Sequence, residues 1–277
     1  MQSYSRHSRV SCRGRVIEKG SENSLSGRIF GSCGTIRHMT TGTTGPTATT
    51  PQSSPSESDS VIDLSNKVIG VLGGTGEQGK GLATRFAAAG LRVIIGSRTA
   101  ERASDVAREI GENVQGMSNE DTAKASDIVI IAVPWDGHRE LLESMVDQLS
   151  GKIVVDCVNP LGFDKGGAFG LDVAEGSAAQ QAQAVLPNST VVAAFHHISA
   201  KLLLDPEVST IEGDVLVVGD DREATDTVQE LANKIPGMRG VYAGKLRNAG
   251  QVEAFTANLI SMNRRYKGHA GVHITDI

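Results

Sequence analysis

The stretch Gly74-Thr75-Gly76-Glu77-Gln78-Gly79 directly follows the apolar run Val68-Ile69-Gly70-Val71-Leu72. An apolar strand that runs into a glycine turn and then a helix is the sequence form of a dinucleotide-binding unit. Such a turn holds a pyrophosphate on backbone N–H groups and at a helix N-terminus. Gly74 permits the tight turn, Gly76 lets the phosphates approach, and Gly79 lets the helix pack closely on the strand. A purely structural glycine turn has the same letters. The setting between strand and helix is what points to a ligand.

The next apolar run, over 92–95, ends in Gly96-Ser97-Arg98. In an NAD site, an acidic residue about 20 positions beyond the glycines bonds the ribose 2′-OH. Ser97 and Arg98 occupy that place here, a hydroxyl and a fixed cation. They suit a 2′-phosphate, so the expected cofactor is NADP(H). Arg98 can fork onto the phosphate and lay its plane over adenine. Thr75 can offer its hydroxyl to the same phosphate, and Arg102, one helical turn on, can add charge. A surface ion pair is the alternative for each arginine, and for Arg102 the two readings weigh equally.

Aromatic residues make up only 4% of the 277, against 39% hydrophobic overall. The core is therefore built from Val, Ile, Leu and Ala, which fits parallel strands covered by helices. Strands over 67–72, 92–95, 127–133 and 152–157 alternate with helices over 77–89, 99–110, 119–125 and 137–149. This alternation predicts an α/β fold with right-handed crossovers and a Rossmann-type doubly wound parallel sheet. Beyond Pro160 a glycine-rich loop over 162–170 precedes a helix over 177–186, strands over 190–195 and 215–218, and a helix over 222–234. A last helix over 248–267 places Val252, Phe255, Leu259 and Met262 on one face. The expected division is a Rossmann domain over 61–195 and a smaller C-terminal α/β domain over 196–277.

Residues 1–60 are rich in Ser, Thr, Gly and Arg and lack apolar periodicity, so they predict a disordered extension. Their Arg- and Ser-rich opening faintly resembles an organellar transit peptide. An over-called start, with Met39 as the true beginning, accounts for them more simply. Seven of the 27 Lys/Arg and four of the 32 Asp/Glu lie in this stretch, so the remainder is acidic. That balance argues against a nucleic-acid partner. No apolar run approaches a membrane span. Cys12, Cys33 and Cys157 have neither metal spacing nor a disulfide framework, so no metal is expected and the compartment reads as reducing and cytoplasmic. Cys157 lies in a strand-like run and reads as a small buried residue.

Two further places face the crevice expected at the carboxyl edge of the sheet. Pro134 and Trp135 end the strand over 127–133, where the indole either lines a nicotinamide pocket or packs under a loop. His196-His197-Ile198-Ser199 follow the strand over 190–195. Adjacent histidines on an extended chain point to opposite sides. They make a poor metal pair, and the expectation is one buried ring and one in the cleft. No Ser/His/Asp elbow appears.

With Gly73-Gly74-Thr75-Gly76, Gly96-Ser97-Arg98, Ala194-Phe195-His196-His197-Ile198 and the segment from Ala243-Gly244 through Asn263-Arg264, the chain resembles the NADPH-dependent reductases of the deazaflavin coenzyme F420. Val252-Glu253 and Thr256 carry the more specific part of the likeness. His197, Ser199 and the long N-terminus depart from the pattern. The resemblance implies hydride exchange between nicotinamide C4 and deazaflavin C5. Two stacked rings about 3–3.5 Å apart need alignment more than an acid or base. It implies that Gly74, Thr75, Gly76, Glu77, Gln78, Gly79, Ser97 and Arg98 hold NADP, with Arg102 beside them. It puts Pro134 and Trp135 near the nicotinamide, His196 and Ile198 in the deazaflavin pocket, and a homodimer in solution. The deazaflavin carries a phosphate and a glutamate tail, for which Lys201, Arg247, Arg264, Arg265 and Lys267 are candidate partners. Two alternatives stand beside this reading: a small NADP-dependent imine or hydroxy-acid reductase, which generally needs a proton donor beside the substrate carbon, and a non-catalytic NADP sensor.

Overall fold

The computed structural model of the chain describes residues 62–277; the expected N-terminal extension lies outside the described residues. The Rossmann half alternates as expected. Strand β1 (Val68–Leu72) leads to helix α1 (Glu77–Ala88) and strand β2 (Arg92–Ser97) to α2 (Ala100–Ile110). Strand β3 (Val114–Ser118), α3 (Asn119–Ala125) and β4 (Ile128–Ile131) follow. The expected helix over 137–149 is instead a 3-10 turn at Trp135–Gly137 and two short helices, α4 (His138–Glu143) and α5 (Val146–Leu149), ahead of β5 (Ile153–Asp156). Met145, C-terminal neighbour of the break, is buried in the same core cluster as Leu142 and Leu149.

The glycine-rich loop is an antiparallel hairpin, β6 (Leu161–Asp164) and β7 (Gly167–Gly170). Its turn is tied by Asp164, whose Oδ1 accepts the N–H groups of Gly166 at 2.7 Å and Gly167 at 3.1 Å. Then come α6 (Ala178–Val185), β8 (Thr190–Ala193), α7 (Ala200–Leu204), β9 (Gly213–Gly219), α8 (Arg222–Asn233), β10 (Met238–Gly244) and α9 (Ala249–Tyr266). One eight-stranded sheet holds all the strands but the hairpin, in the order β10-β9-β8-β5-β4-β1-β2-β3. Its pairs are parallel except β8 with β9. The sheet therefore crosses residue 195 without a break, and no gap in the fold marks the expected domain boundary there.

Close approach of helices to the sheet depends on missing side chains. A Cβ on Gly116 of β3 would lie 2.2 Å from the backbone carbon of Ala103 in α2. The helix thus rests on the strand backbone itself. Thr99, expected to cap α2, sits at the N-cap without a side-chain bond.

The stripe expected on α9 is displaced. Val252 and Leu259 are buried, but Phe255 and Met262 are exposed, at 37% and 41%. The buried face instead centres on Ala249, Val252, Glu253 and Ala257. The reason is Glu253, a carboxylate only 2% exposed. Its oxygens accept the N–H groups of Ala178 at 2.9 Å and Ala179 at 3.2 Å, in the first turn of α6. Ser177 caps the same turn, its hydroxyl accepting from Gln180 N at 3.0 Å. An apolar-periodicity reading does not register a carboxylate at the centre of a buried face.

Beside Glu253 lies a second buried pair. His138, which opens α4, donates from Nε2 to Asp156 Oδ2 at 2.6 Å and from Nδ1 to Gln181 Oε1 at 3.0 Å. The Gln181 amide nitrogen donates to Glu175, which orients its oxygen toward the ring. With an acceptor oxygen facing each ring nitrogen, the surroundings favour the protonated imidazole. Burial pulls its pKa down, but the Asp156 charge and these bonds outweigh burial and leave it raised. Burial pushes the Glu253 carboxyl up to about 7; Asp156 adds to the rise, and the two amide bonds and His138 oppose it.

Two outcomes follow from this packing. Gly116→Ala must lift α2 from β3 and should lower stability by about 1–3 kcal/mol, read as a shift of the urea midpoint; an unchanged midpoint would show that α2 yields freely. Between its ordinary value of 4.5 and about 7, Glu253 is protonated in the folded chain and ionised in the unfolded one. The folded state then binds more protons, so stability falls as pH rises through that window. The raised His138 acts in the same direction, its contribution being lost as pH rises through the folded value. Melting temperature should fall between about pH 5 and pH 7, and Glu253→Gln should flatten the slope. A variant slope equal to that of the parent chain is the contrary result.

Candidate functional site

The chain reverses its course at the centre of the sheet. From β1 it proceeds outward through β2 to β3; it then returns to β4 on the other side of β1. The loops after β1 and β4 leave in opposite directions, and a crevice opens between them at the carboxyl edge. A cavity of about 670 Å³ lies there. Most of its lining comes from three connections: Gly73, Thr75 and Gly76 after β1, Ser97, Arg98 and Arg102 at and after the end of β2, and Val133, Pro134, Asp136 and Gly137 after β4.

The glycine turn is built as its letters require. Gly73 has a φ of +74°. Gly74 N donates to Gly96 O, and Gly76 N to Gly73 O, both at 3.0 Å. A Cβ on Gly74 would meet Ile95 Cβ at 2.6 Å, and one on Gly79 would meet Gly73 O at 2.9 Å. These two glycines therefore serve packing, whereas Gly76 is exposed and lines the cavity. Gly76 is also the N-cap of α1 and offers that helix no side-chain acceptor. The first-turn amides of a helix then look outward for an acceptor.

Ser97 is buried at the end of β2, while the Arg98 and Arg102 side chains are exposed and reach the cavity. Neither arginine is in an ion pair among the described residues. Glu77 is exposed in the first turn of α1. Gln78 turns away from the cavity and donates from Nε2 to Phe195 O at 3.1 Å, tying the glycine turn to the end of β8. Pro134 lines the cavity, but Trp135 packs half-buried on the His138 ring, with centroids 5.6 Å apart. The indole thus has one side against the His138 ring.

The histidine expectation is corrected. Both His196 and His197 are buried, each 4% exposed. Strand β8 ends at Ala193, and Phe195 takes a φ of +65°, so the side-to-side alternation of an extended chain is lost before the histidines. Phe195 itself is held by an edge-on contact with Phe86, centroids 5.9 Å apart. His197 donates from Nε2 to Asp214 O at 2.8 Å. Neither ring nitrogen of His196 has a hydrogen-bond partner. Burial drives its pKa down to about 4, His197 adding to the fall and Asp156 opposing it. It is a neutral imidazole. Ile198 is half-buried against the core.

The backbone of this segment is clamped from two sides. His196 O accepts from Asn159 Nδ2 at 2.9 Å and from Thr256 Oγ1 at 3.3 Å. Thr256 and Glu253 lie one turn apart on α9. The residues that carried the more specific likeness thus act as structural ties, one to α6 and one to the histidine segment.

Cys157 is buried as expected; its thiol donates to Ile131 O at 3.0 Å, and burial holds it protonated. Among the described residues no group of His, Cys, Asp and Glu is placed to hold a metal ion. Sequence reasoning missed Asn119, Asp136, Gly137, Glu140 and Leu141 in the cavity wall. Asn119 had a readable signal, since it opens a helix immediately after a strand end. Its Oδ1 accepts from Gly73 N at 3.4 Å and so braces the turn.

Residues 68–160 match the family model described as NADP oxidoreductase, coenzyme F420-dependent. The F420-dependent NADP reductase of Methanothermobacter thermautotrophicus is 42% identical over 222 residues, 76% of this chain and 95% of that protein. That of Methanothermobacter marburgensis is 38% identical over 76% of this chain and 98% of its own length. In structure, a chain from Arthrobacter sp. FB24, proposed to be an F420-dependent NADP reductase, superposes with a TM-score of 0.67 at 25% identity, covering 76% of this chain and 100% of its own. The glycine turn after β1 and these matches over the length of the fold agree: the chain belongs to the F420-dependent NADP reductase family.

Proposed function

We propose that this chain exchanges a hydride between NADP(H) and coenzyme F420 in the crevice at the carboxyl edge of its sheet. One observation carries the reading. Two arginines without carboxylate partners stand on the wall of the cavity that holds the glycine turn. An exposed glycine N-cap and a buried hydroxyl at Ser97 complete an anion-binding lining. Thr75, Gly76 and the first turn of α1 with Glu77 would hold the pyrophosphate. Gly74 and Gly79 keep that turn tight, and Gln78 keeps it joined to the histidine segment. Ser97, Arg98 and Arg102 would hold the 2′-phosphate.

Pro134 and Trp135 would stand beside the nicotinamide, the indole fixed from behind by His138. His196 and Ile198 would meet the deazaflavin, and the unpartnered nitrogens of His196 fit a ligand with polar ring edges. Bound together, the two coenzymes supply a hydride at nicotinamide C4 and its acceptor at deazaflavin C5. The protein's part is alignment and exclusion of water. His196 is neutral over the physiological range and takes no proton from the pair.

A homodimer belongs to the same reading. Its support is the apolar surface left on one chain, with Phe163 70% and Phe169 45% exposed on the hairpin. A cytoplasmic site rests on the free, buried Cys157. Among the described residues no helix is long and apolar enough to cross a membrane.

Mixing the protein with NADPH and oxidised F420 should bleach the deazaflavin absorbance in step with NADPH oxidation. Bound NADPH with no bleaching at any pH leaves a nucleotide sensor instead. Arg98→Glu should weaken NADPH binding by about 10- to 100-fold, the worth of a charge-assisted bond, and leave NADH binding nearly as it was. Equal losses for both nucleotides count against a 2′-phosphate role.

A further inference from the structure

A second group of unpaired cations lines another cavity. Lys201 in α7, with Arg264 and Lys267 at the end of α9, lines a cavity of about 510 Å³ together with Ser199, Asn263 and His269. No carboxylate lines this cavity. None of Lys201, Arg264 and Lys267 is in an ion pair among the described residues. Elsewhere on the surface, cations such as Lys80, Lys124, Arg139 and Lys234 each sit against a carboxylate. Like charges that converge without a counter-charge repel one another, and the arrangement gains from an anion placed among them.

The lining is also braced. Lys267 takes a φ of +56° and turns the chain back at the end of α9. Asn263 Oδ1 then accepts from Ala270 N at 2.5 Å, and Ser199 Oγ lies 3.2 Å from His269 Nδ1. Two stretches of chain connect the cavity lining with the proposed deazaflavin pocket. Ser199 is three residues beyond His196. Asn263 lies seven residues along α9 from Thr256, which bonds His196 O. Seven helical residues span about 10.5 Å.

We infer that this cavity is an anion site for phosphate and carboxylate groups, and that it takes the phosphate and glutamate tail of the deazaflavin. The assignment rests on the proposed reductase function for its ligand, but not for its charge. It also selects among the five candidate cations. Lys201, Arg264 and Lys267 are brought together; Arg247 and Arg265 are outside, and Arg265 lies over the Tyr266 ring at 5.9 Å from its centroid.

The test measures equilibrium binding of F420 and of the tail-less 8-hydroxy-5-deazaflavin riboside by their fluorescence. It uses the parent chain, the double variant Arg264→Gln/Lys267→Gln, and the charge-matched surface variant Arg108→Gln/Lys124→Gln. The preference for the tailed compound should drop about tenfold or more in the double variant alone and weaken with salt in the parent chain. Equal loss for both compounds, or no loss, overturns the tail assignment. So does an equal effect in the surface variant.

Should the parent chain bind neither deazaflavin, the reductase reading and the tail assignment fall together. Titration of inorganic phosphate, followed by the His269 proton resonance, then decides the anion site itself. A saturable shift that the double variant loses keeps the site as one for a free anion, and no saturable shift ends it.

Discussion

Everything functional in this fold hangs on the contact between the first glycine turn and the strand beside it. Gly74 sits against Ile95 and Gly79 against the Gly73 carbonyl, so closely that neither position has room for a methyl group. That contact draws the N-terminus of α1 down onto the edge of the sheet, next to the point where strand order reverses. Without it, the amides of the helix and the ends of β2 and β4 would not share one cavity. The cations of that cavity come from the next connection, after β2, and its opposite wall from the connection after β4. Loops of separate origin are thus brought together by the packing of two glycines.

The second half of the site depends on a different device. The segment at His196 is irregular backbone at the end of a strand, with a left-handed residue, Phe195, at its start. A non-glycine residue in that region is costly and persists where its surroundings hold it. Here they are Gln78 on Phe195 O, Asn159 and Thr256 on His196 O, and Phe86 against the Phe195 ring. Thr256 can act only because α9 is seated, and α9 is seated partly through Glu253 on the N-terminus of α6. A carboxylate in that place works as a helix cap supplied by another helix, satisfying two amides that α6 cannot satisfy itself.

The Rossmann half was readable because each element there is punctuated. Glycine turns, Ser118 at the N-cap of α3 and a continuous apolar run in β4 all have local causes. Beyond Pro160 the causes become tertiary. There β10 carries glycines where α8 must approach, and within the Rossmann half β3, Val-Gln-Gly-Met-Ser, is an edge strand with little apolar content; neither has a pattern that periodicity recognises. The hairpin was invisible because its strands are short and mostly exposed. Thr75, Gly76, Ser97, Arg98 and Pro134, singled out by spacing, all line one cavity. The histidines depart from expectation, since a rule about alternation holds only while the strand lasts. His138 and Asp156 had no signal at all: a buried ion pair 18 residues apart in sequence is made by the sheet, not by any motif.

The distribution of charge bears on the chemistry. Arg98 and Arg102 line the carboxyl-edge cavity without ion pairs, and Lys201, Arg264 and Lys267 line a second cavity, likewise unpaired among the described residues. Apart from these cations the chain offers Val133 in the first cavity wall, Ile198 against the core and, at His196, an imidazole kept neutral by burial. The buried titratable groups His138, Asp156 and Glu253 are fully engaged with one another or with backbone amides. Anchors at the ends fix position through groups remote from the reacting carbons, and binding energy taken there can be spent on orientation. A centre that neither gives nor accepts protons suits a transfer in which a hydrogen moves with its electron pair. An imine or keto substrate would need a donor beside it, and burial, which pushes the His196 pKa down to about 4, leaves that imidazole without the proton to give.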